Sequence, residues 1–437
     1  MTDWRQRLEQ RLKDRSATIA VLGMGYVGLP LSIRLWQQGF RVLGVDTKEE
    51  RLAELEGEGY VFEGHKETPL SEILSSGNFS LRSELTPGDD VDVAIICVPT
   101  PLGEGIPDLS YLEQAAGALA RLLRRGMLVS LESTTYPGTT EGLLKEKLEG
   151  SGLQAGTDFA LVYSPERIDP GHPEHAVDRI PKLVAGLTPS CSLLGRALYS
   201  AVTEPVISLS SPRVAEMAKL MENTYRQVNI ALVNEFAMVC NEMDVDVWEA
   251  LDAAATKPFG FQRFDPGIGI GGHCIAIDPI YLTHRIRELK RPPFRLVELA
   301  REIDDSMPTY VAGRIEAFLR SEGHRVEGST VCLLGVTYKA NVPDLRNSRA
   351  IEVMMELRTR GCSILFHDPF HQEILLGGNS FKGSTLEDAV ASADLVAILT
   401  AHSAYDWTHI MDSSRLIFDC RGVTRSLPAG KAKVVLL

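Results

Sequence analysis

The sequence has a deficit of positive charge, which limits the partners it can bind. Its 437 residues contain 45 Lys and Arg against 58 Asp and Glu, for a formal net charge of −13. This acidic balance argues against broad binding to nucleic acid or to an anionic membrane surface. An anionic small molecule remains a possible ligand, because a few local Lys or Arg side chains suffice to bind one.

Paired cysteines and long apolar runs are also missing. The seven cysteines are scattered and no C-x-x-C pair occurs, so we predict neither a metal site nor a disulfide framework. No apolar run reaches the roughly 18 residues of a membrane span. Residues 1–15 are charged and have no apolar stretch typical of a signal peptide. We therefore expect a reduced, cytoplasmic protein without a membrane span.

A glycine-rich turn near the start of the chain indicates a dinucleotide site. The apolar run 18–22 leads into Gly23, Gly25 and Gly28, and a helical pattern follows over 29–38. This strand, Gly-x-Gly-x-x-Gly and helix order is typical of a turn that cradles pyrophosphate. A second strand, 41–45, ends at Asp46, whose carboxylate would accept the ribose hydroxyls and repel a 2′-phosphate, so NAD is favoured over NADP.

Further strands end in polar residues, at the sheet edge where open α/β sheets bind ligands. The strands over 91–98, 127–132 and 160–163 lead into Thr100, Thr134 and the pair Glu166-Arg167, respectively. Loop termination alone would explain Ser, Thr and Pro at such positions, but a turn does not require a Glu-Arg pair. Arg51, beyond Asp46, either reaches the adenine side or is a solvated helix charge.

The middle of the chain reads as a long helix, from Pro212 to about Ala255, without internal Gly or Pro. Lys219 and Asn223 are four residues apart and so share one face of it. They are either a surface lysine with a polar neighbour or part of a site wall.

The segment 266–279 places four closely spaced glycines ahead of Cys274, with Asp278 four residues further on. Glycine lets backbone approach a ligand closely, and a thiol at the end of such a loop is a candidate nucleophile. A buried, inert cysteine behind a plain turn is the alternative. We expect the next helix to begin near Asp278, and His273 to have a structural or orienting role.

The strand pattern restarts over 330–336 and continues over 363–369, 395–400 and 416–421. The predicted fold is therefore α/β, with two doubly wound Rossmann-like domains joined by a long central helix. We predict an NAD-binding domain over 1–210, a helical domain with the Cys274 loop over 211–305, and a second Rossmann-like domain over 306–437. Lys339, Arg346 and Arg349 in one loop suit phosphate oxygens, unless they are simply solvated.

Five segments, taken together and in order, resemble motifs of the UDP-glucose/GDP-mannose dehydrogenase family. They are 23–30 (GMGYVGLP), 97–101 (CVPTP), 132–140 (ESTTYPGTT), 163–167 (YSPER) and 271–274 (GGHC). Within that family, the spellings ESTTYPGTT, AAATKPFGF and GGHCIAIDPIYL resemble the UDP-N-acetylglucosamine 6-dehydrogenases of bacterial surface-polysaccharide pathways. The resemblance covers essentially the whole chain. Arg349 departs from it, because relatives often have a small residue or Pro there.

The resemblance implies oxidation of a primary alcohol to a carboxylate with two NAD⁺, through a thiohemiacetal and a thioester on Cys274. The catalytic residues it implies are Cys274, Lys219, Asn223, Asp278, Glu166 and Thr134. The cofactor-binding residues are Gly23, Gly25, Tyr26, Val27, Gly28, Asp46, Arg51, Thr100, Thr134 and Arg346. The substrate-binding residues are Glu166, Arg167, Lys219, Asn223, Gly271 and Lys339. The resemblance further implies that 211–305 is a dimerisation domain and that 306–437 is a UDP-sugar-binding domain. The assembly it implies is a homodimer or higher homo-oligomer.

Other readings compete with this one. UDP-N-acetylmannosamine and UDP-glucose are rival substrates. A short-chain epimerase or dehydratase would need Tyr-x-x-x-Lys, and no Tyr here has Lys four residues later. A non-enzymatic NAD-binding regulator would be expected to lose the chemical residues, yet Cys274, Lys219, Asn223 and Asp278 are present.

Overall fold

The computed structural model describes residues 3–57, 69–167 and 178–437. The chain divides into two compact units. Unit 1 comprises Met1–Glu222 with Ile280–Glu288, and unit 2 comprises Asn223–Pro279 with Leu289–Leu437. Two of the three boundaries, after Glu222 and after Pro279, fall inside helices, so one long helix and one shorter helix each contribute residues to both units.

The elements alternate between strands and helices along most of the chain, as βαβ units do. The helices are α1 (Trp4–Lys13), α2 (Gly28–Gln37), α3 (Glu49–Glu56), α4 (Leu70–Ser75), α5 (Ser110–Leu122), α6 (Lys145–Glu149), α7 (Pro189–Tyr199), α8 (Pro212–Glu242), α9 (Val247–Ala255), α10 (Cys274–Glu288), α11 (Arg295–Ser321), α12 (Arg349–Thr359), α13 (Leu386–Ser392) and α14 (Trp407–Ser413). The strands of unit 1 are β1 (Thr18–Leu22), β2 (Arg41–Val45), β3 (Phe79–Arg82), β4 (Val93–Ile96), β5 (Leu102–Gly103), β6 (Ile106–Pro107), β7 (Leu128–Leu131), β8 (Ala160–Tyr163), β9 (Lys182–Gly186) and β10 (Val206–Ser208). Those of unit 2 are β11 (Thr330–Leu334), β12 (Ser363–His367), β13 (Glu373–Leu376), β14 (Asn379–Lys382), β15 (Leu395–Ile398), β16 (Leu416–Asp419) and β17 (Lys433–Leu436).

The sheet of unit 1 has the order β10-β9-β8-β7-β4-β1-β2-β3. Its neighbours pair in parallel except β8 and β9, which are antiparallel. The chain runs outward from β1 in both directions, through β2 on one side and β4 on the other. The carboxyl ends of β1 and β4 therefore form the switch point at which such sheets bind dinucleotides.

Both faces of this sheet are covered. Along β1, Ile19 and Val21 belong to one apolar core and Ala20 and Leu22 to a second one on the opposite face. Side chains of a strand alternate between faces, so a continuous apolar run is what a doubly covered parallel strand requires. This explains why the five residues of β1 are all buried.

The sheet of unit 2 repeats the pattern with five parallel strands in the order β12-β11-β15-β16-β17. Val331 and Leu333 of β11 pack in one core, and Cys332 and Leu334 in another. The predicted fold class, two doubly wound sheets and a long central helix, is confirmed.

Two helix boundaries differ from the sequence prediction. The predicted helix over 212–255 is two helices, because the chain breaks at Asp244, which has a positive φ of 55°. The helix after the glycine-rich loop begins at Cys274 and not near Asp278. Pro279 lies in the second turn of α10. Proline is more common at the first position of a helix, and for this reason the predicted start was placed too late in the sequence.

None of the helices in the described part of the chain combines the length and apolar character that a membrane span requires.

Candidate functional site

The glycine turn after β1 has the shape that a pyrophosphate-binding turn needs. Gly23 has a φ of +99°, and a Cβ there would lie 2.6 Å from the Cys97 carbonyl oxygen. A Cβ on Gly28 would collide with the Gly23 carbonyl. At Gly25, by contrast, no atom of the described residues lies within 4 Å of a Cβ position. Two glycines thus close the turn, while the third leaves open space beside the start of α2 for a ligand.

Asp46 is fixed at the end of β2, beside this turn. Its Oδ2 accepts the Met24 N–H at 2.9 Å and its Oδ1 accepts the Lys48 N–H at 3.0 Å. Each oxygen retains a lone pair for a ribose hydroxyl. Arg51 donates from Nε to the Met24 carbonyl at 3.0 Å and pairs with Glu54. It therefore stabilises the turn and is not only a solvated charge.

The remaining candidates for cofactor contact line the same edge of the sheet. Tyr26 is 42% exposed at the turn, and Val27 precedes the first residue of α2. Thr100 is buried in the loop after β4, and Thr134 is half-buried in the loop after β7. Because β4 pairs with both β1 and β7, the loop after β4 emerges next to the glycine turn, and the loop after β7 emerges one strand further along the same edge. Together these residues fit a dinucleotide.

Glu166 belongs to a buried cluster of charges in unit 1. Lys182 Nζ donates to Glu132 at 2.6 Å and to Glu166 at 3.0 Å, and all three side chains are buried. Burial raises the pKa of Glu132 to about 7. The ammonium of Lys182 lowers this pKa, and the negative charge of Glu166 raises it. The two carboxylates raise the pKa of Lys182 although burial opposes them, so the ammonium stays charged and anchors Glu166.

Sequence reasoning missed Lys182 and gave Glu132 no role of its own. Lys182 is the first residue of β9, the strand next to the edge strand β10, and β9 was not predicted. A single lysine ahead of Leu-Val-Ala-Gly gives no sign that its ammonium is buried between two carboxylates. Buried charges need partners, and those partners come from loops far apart in sequence.

Arg167 and Lys219 occupy different surroundings. The Arg167 guanidinium forms a bidentate pair with Glu222, at 2.7 Å from Nη2 and 3.1 Å from Nε, and it also donates to the Pro181 carbonyl. Lys219 on α8 is only 7% exposed, which excludes the reading of a solvated surface lysine.

In unit 2, Cys274 is the first residue of α10 and its side chain is exposed. Helix N-termini favour negative charge, which suits a thiol acting as a nucleophile. Asp278 lies one turn further along α10, and the Asn223 amide donates to its Oδ2. Asn223 and Asp278 are both buried. Unit 2 therefore brings together three of the candidate catalytic residues, the thiol, the carboxylate and the amide.

The glycine-rich loop before Cys274 packs tightly against the loop after β11. A Cβ on Gly272, whose φ is +80°, would lie 2.6 Å from the Tyr338 ring. One on Gly271 would lie 2.7 Å from the Asn347 carbonyl oxygen. Gly272 N–H donates to the Arg346 carbonyl at 3.1 Å, and the Asn347 side chain donates to the Gly272 carbonyl at 3.0 Å. These glycines thus serve internal packing as well as any ligand.

Lys339 and Arg346 lie in that same loop after β11. Lys339 is half-buried, and its carbonyl accepts from the Thr337 hydroxyl at 3.0 Å. Arg346 is exposed and forms a bidentate pair with Asp344, at 2.6 Å from Nη2 to Oδ2. Burial lowers the pKa of His273, and the charge of Arg346 lowers it further, so His273 is neutral near pH 7 and adds no positive charge beside Cys274.

The loop after β11 mirrors the turn after β1. Asp368, after β12, accepts the Val336 N–H at 2.7 Å, as Asp46 accepts that of Met24. Gly335 has a φ of +78°, and a Cβ there would collide with the Thr400 carbonyl. Unit 2 therefore repeats the geometry of a nucleotide-binding switch point without the full glycine fingerprint.

Each unit thus holds its own set of predicted residues. Unit 1 contains Gly23, Gly25, Tyr26, Val27, Gly28, Asp46, Arg51, Thr100, Thr134, Glu166, Arg167 and Lys219. Unit 2 contains Asn223, Gly271, Cys274, Asp278, Lys339 and Arg346.

Comparison with known proteins matches three successive parts of the chain to one family. Residues 17–203 match the NAD binding domain of the UDP-glucose/GDP-mannose dehydrogenase family, 213–306 its central domain and 332–426 its UDP binding domain.

Individual relatives agree with this family and differ in the sugar they are named for. A UDP-N-acetyl-D-glucosamine 6-dehydrogenase of Pseudomonas aeruginosa is 37% identical over 96% of this chain and 95% of its own length. A UDP-N-acetyl-D-mannosamine dehydrogenase of Pyrococcus horikoshii is 35% identical over 94% of this chain and 97% of its own. The solved structure of a UDP-D-ManNAc dehydrogenase from Pyrococcus horikoshii aligns with a TM-score of 0.84 and 34% identity, covering 96% of this chain and 98% of that one. The chain therefore belongs to the UDP-glucose/GDP-mannose dehydrogenase family and is an NAD-dependent UDP-sugar dehydrogenase.

Proposed function

We propose that the protein oxidises C6 of UDP-N-acetylglucosamine to the carboxylate, giving UDP-N-acetylglucosaminuronate for surface polysaccharide synthesis. The observation that carries the chemistry is the group of Cys274, Asp278 and Asn223 in unit 2. An exposed thiol at a helix start stands one turn from a buried carboxylate that accepts a hydrogen bond from a buried amide. The 37% identity to the Pseudomonas aeruginosa enzyme and the motif spellings support the choice of sugar.

Each candidate catalytic residue has a proposed role in the two oxidation steps and the hydrolysis. Bound NAD⁺ supplies the oxidising power for both two-electron steps. The Cys274 thiolate adds to the C6 aldehyde, and oxidation of the resulting thiohemiacetal gives a thioester that water hydrolyses. Asp278 and Thr134 position that water, while Lys219 and Asn223 stabilise the oxyanion.

Glu166 is the proposed acid/base or gate at the reacting carbon. Lys182 keeps it in place by sharing its ammonium between Glu166 and Glu132. Gly271, Lys339 and Arg167 are proposed to contact the sugar nucleotide. For NAD, we propose the glycine turn with Tyr26 and Val27, and the side chains Asp46, Arg51, Thr100, Thr134 and Arg346.

The proposed domains are 1–210 for NAD, 211–305 for dimerisation and the Cys274 loop, and 306–437 for the UDP-sugar. A homodimer is the proposed assembly. Helix α8 carries an exposed apolar stripe in the single chain. Its side chains, each 46–52% exposed, are Tyr225, Leu232, Phe236 and Val239. The cytoplasm is the proposed location, because seven cysteines that form no disulfide suit a reducing compartment.

UDP-N-acetylmannosamine is the second candidate substrate, favoured by the 35% identity to the Pyrococcus horikoshii enzyme. NADH formation should be followed with a panel of UDP-N-acetylglucosamine, UDP-N-acetylmannosamine, UDP-N-acetylgalactosamine and UDP-glucose. We expect the highest kcat/KM with UDP-N-acetylglucosamine. A higher kcat/KM with any other member would refute the proposed substrate while leaving the reaction class intact.

Cys274→Ala tests the mechanism separately. We expect it to abolish uronate formation while NAD binding, followed by fluorescence titration, stays within about twofold of wild type. Full turnover in this variant would refute the thioester route.

A further inference from the structure

A largely buried ion pair, Asp304–Arg349, bonds the middle of the glycine-rich loop through the backbone N–H and carbonyl of Ile270. The Ile270 N–H donates to Asp304 Oδ1 at 2.6 Å, and the Ile270 carbonyl accepts from Arg349 Nε at 3.1 Å. Arg349 Nη2 closes the ring by donating to Asp304 Oδ2 at 2.8 Å. One peptide segment is thus fixed by two charged side chains that are also bonded to each other.

This pair is built into unit 2 rather than lying on its surface. The Asp304 side chain is 6% exposed and that of Arg349 14% exposed. Asp304 extends from the middle of α11, and Arg349 is the first residue of α12. Further donations to Asp305 and Glu352 orient the guanidinium. A buried charge pair with this many hydrogen bonds has little freedom to reorient.

The loop packs closely against the ion pair at this point. Gly269 has a φ of +104°, and a Cβ there would lie 3.0 Å from the Asp304 carbonyl and 3.2 Å from Arg349 Cγ. Ile268 and Ile270 are both buried. On the far side of the pair, the Gly272 bonds to Arg346 and Asn347 hold the last turn before Cys274. The distance along the chain from Ile270 to Cys274 is four residues.

We propose that Arg349 and Asp304 are positioning residues that set the placement of Cys274, by clamping Ile270 from both sides. Neither touches a reacting atom. Their effect passes through the backbone from Ile270 to the start of α10, and a small displacement of a nucleophile lowers turnover much more than it lowers substrate binding. The inference rests on the proposed role of Cys274 as nucleophile.

The test compares Arg349→Gln and Asp304→Asn with the control Arg320→Gln, an exposed arginine on α11. In the first two variants we expect kcat to fall by about 10- to 100-fold, with the KM for NAD within about twofold of wild type. The double variant should lose no more than either single one, because both break the same clamp. The control should match wild type.

A second readout does not depend on turnover. The rate of Cys274 alkylation by iodoacetamide, followed by mass spectrometry of its peptide, should change by about threefold or more in both clamp variants. Arg349→Lys covers the case in which Arg349→Gln does not fold. A lysine can pair with Asp304 but cannot also bond the Ile270 carbonyl in the same way. We therefore expect an intermediate loss of kcat in this variant.

Wild-type kcat and wild-type alkylation in folded Arg349→Lys and Asp304→Asn would overturn the clamp. Cys274→Ala, assayed in parallel, separates this failure from failure of the proposed mechanism. If Cys274→Ala retains full uronate formation, the mechanism is wrong. If it is inactive and the clamp variants are normal, only the clamp is wrong.

Discussion

At the scale of single residues, the most consequential finding is that unit 1 buries three charged groups together. Lys182 neutralises one of the two carboxylates it touches, so the cluster carries one negative charge too many for a buried site when both are ionised. Desolvation penalises that charge, and the pKa of Glu132 rises to about 7 as a result. A proton can therefore be taken up next to Glu166 near neutral pH.

Glu132→Gln tests this reading through the pH dependence of stability. Since the folded pKa of about 7 lies above the ordinary value of 4.5, ionising Glu132 costs folding free energy. That cost is absent below about pH 4.5 and complete above about pH 7. Wild type should therefore lose on the order of 3 kcal/mol more than the variant between pH 4.5 and 8, measured by urea unfolding.

The control is Glu72→Gln, an exposed residue on α4, which should follow the wild-type pH curve. Parallel curves for wild type and Glu132→Gln would mean that Glu132 is already ionised throughout this range.

Much of the site was predictable from the residues that carry it. Gly23, Gly28 and Asp46 have the geometry that their spacing indicates, because a tight turn restricts the residues that fit it. The Lys182 cluster and the Arg349 clamp were not predictable. Each depends on side chains that meet only after distant strands and helices pack, and neither follows a periodic pattern.

At the scale of elements, the three glycines after β1 have separable tasks. Gly28 lies so close to Gly23 that a Cβ at position 28 would collide with the Gly23 carbonyl. At Gly25, by contrast, no atom of the described residues lies near a Cβ position. The same motif therefore contains two glycines that the turn requires, Gly23 and Gly28, and a third, Gly25, that leaves space for a ligand.

Gly25→Ala and Gly28→Ala should separate those tasks. We expect Gly25→Ala to change the free energy of unfolding by less than about 1 kcal/mol while weakening NAD binding about tenfold or more, since a methyl group would occupy ligand space. Gly28→Ala should destabilise the fold by about 1–3 kcal/mol, the usual cost of overpacking. Unfolding in urea and NAD titration by fluorescence measure the two effects, and unchanged NAD affinity in Gly25→Ala would contradict the assignment of the turn.

Helix boundaries were the least predictable elements. Asp244 interrupts a pattern that continues in sequence as if it were one helix, and Pro279 sits inside α10 although proline usually stands at a helix start. Short edge strands such as β10 and β17 were missed as well, because three or four residues carry too little pattern to identify.

At the scale of the whole molecule, the stripe on α8 bears on assembly. Tyr225, Leu232, Phe236 and Val239 recur at intervals of seven, four and three residues, and so lie along one side of the helix. An exposed apolar stripe of this length is unusual on a monomer.

Phe236→Glu should shift the protein from dimer towards monomer, because it places a charge in the centre of the stripe. Size-exclusion chromatography with light scattering measures the mass. The matched control is Leu375→Glu, an equally drastic change at an apolar residue 74% exposed on β13, which should leave the mass unchanged. A wild-type monomer, or a Phe236→Glu dimer as stable as wild type, would contradict the proposed interface.

We propose that one enzyme removes four electrons from C6 through a covalent bond to Cys274. The ratio of NADH formed to UDP-N-acetylglucosamine consumed tests it most directly, with the product identified by mass spectrometry. We expect about two NADH per sugar nucleotide, with the uronate as product and no released aldehyde. One NADH per sugar nucleotide, with free aldehyde accumulating, would contradict it.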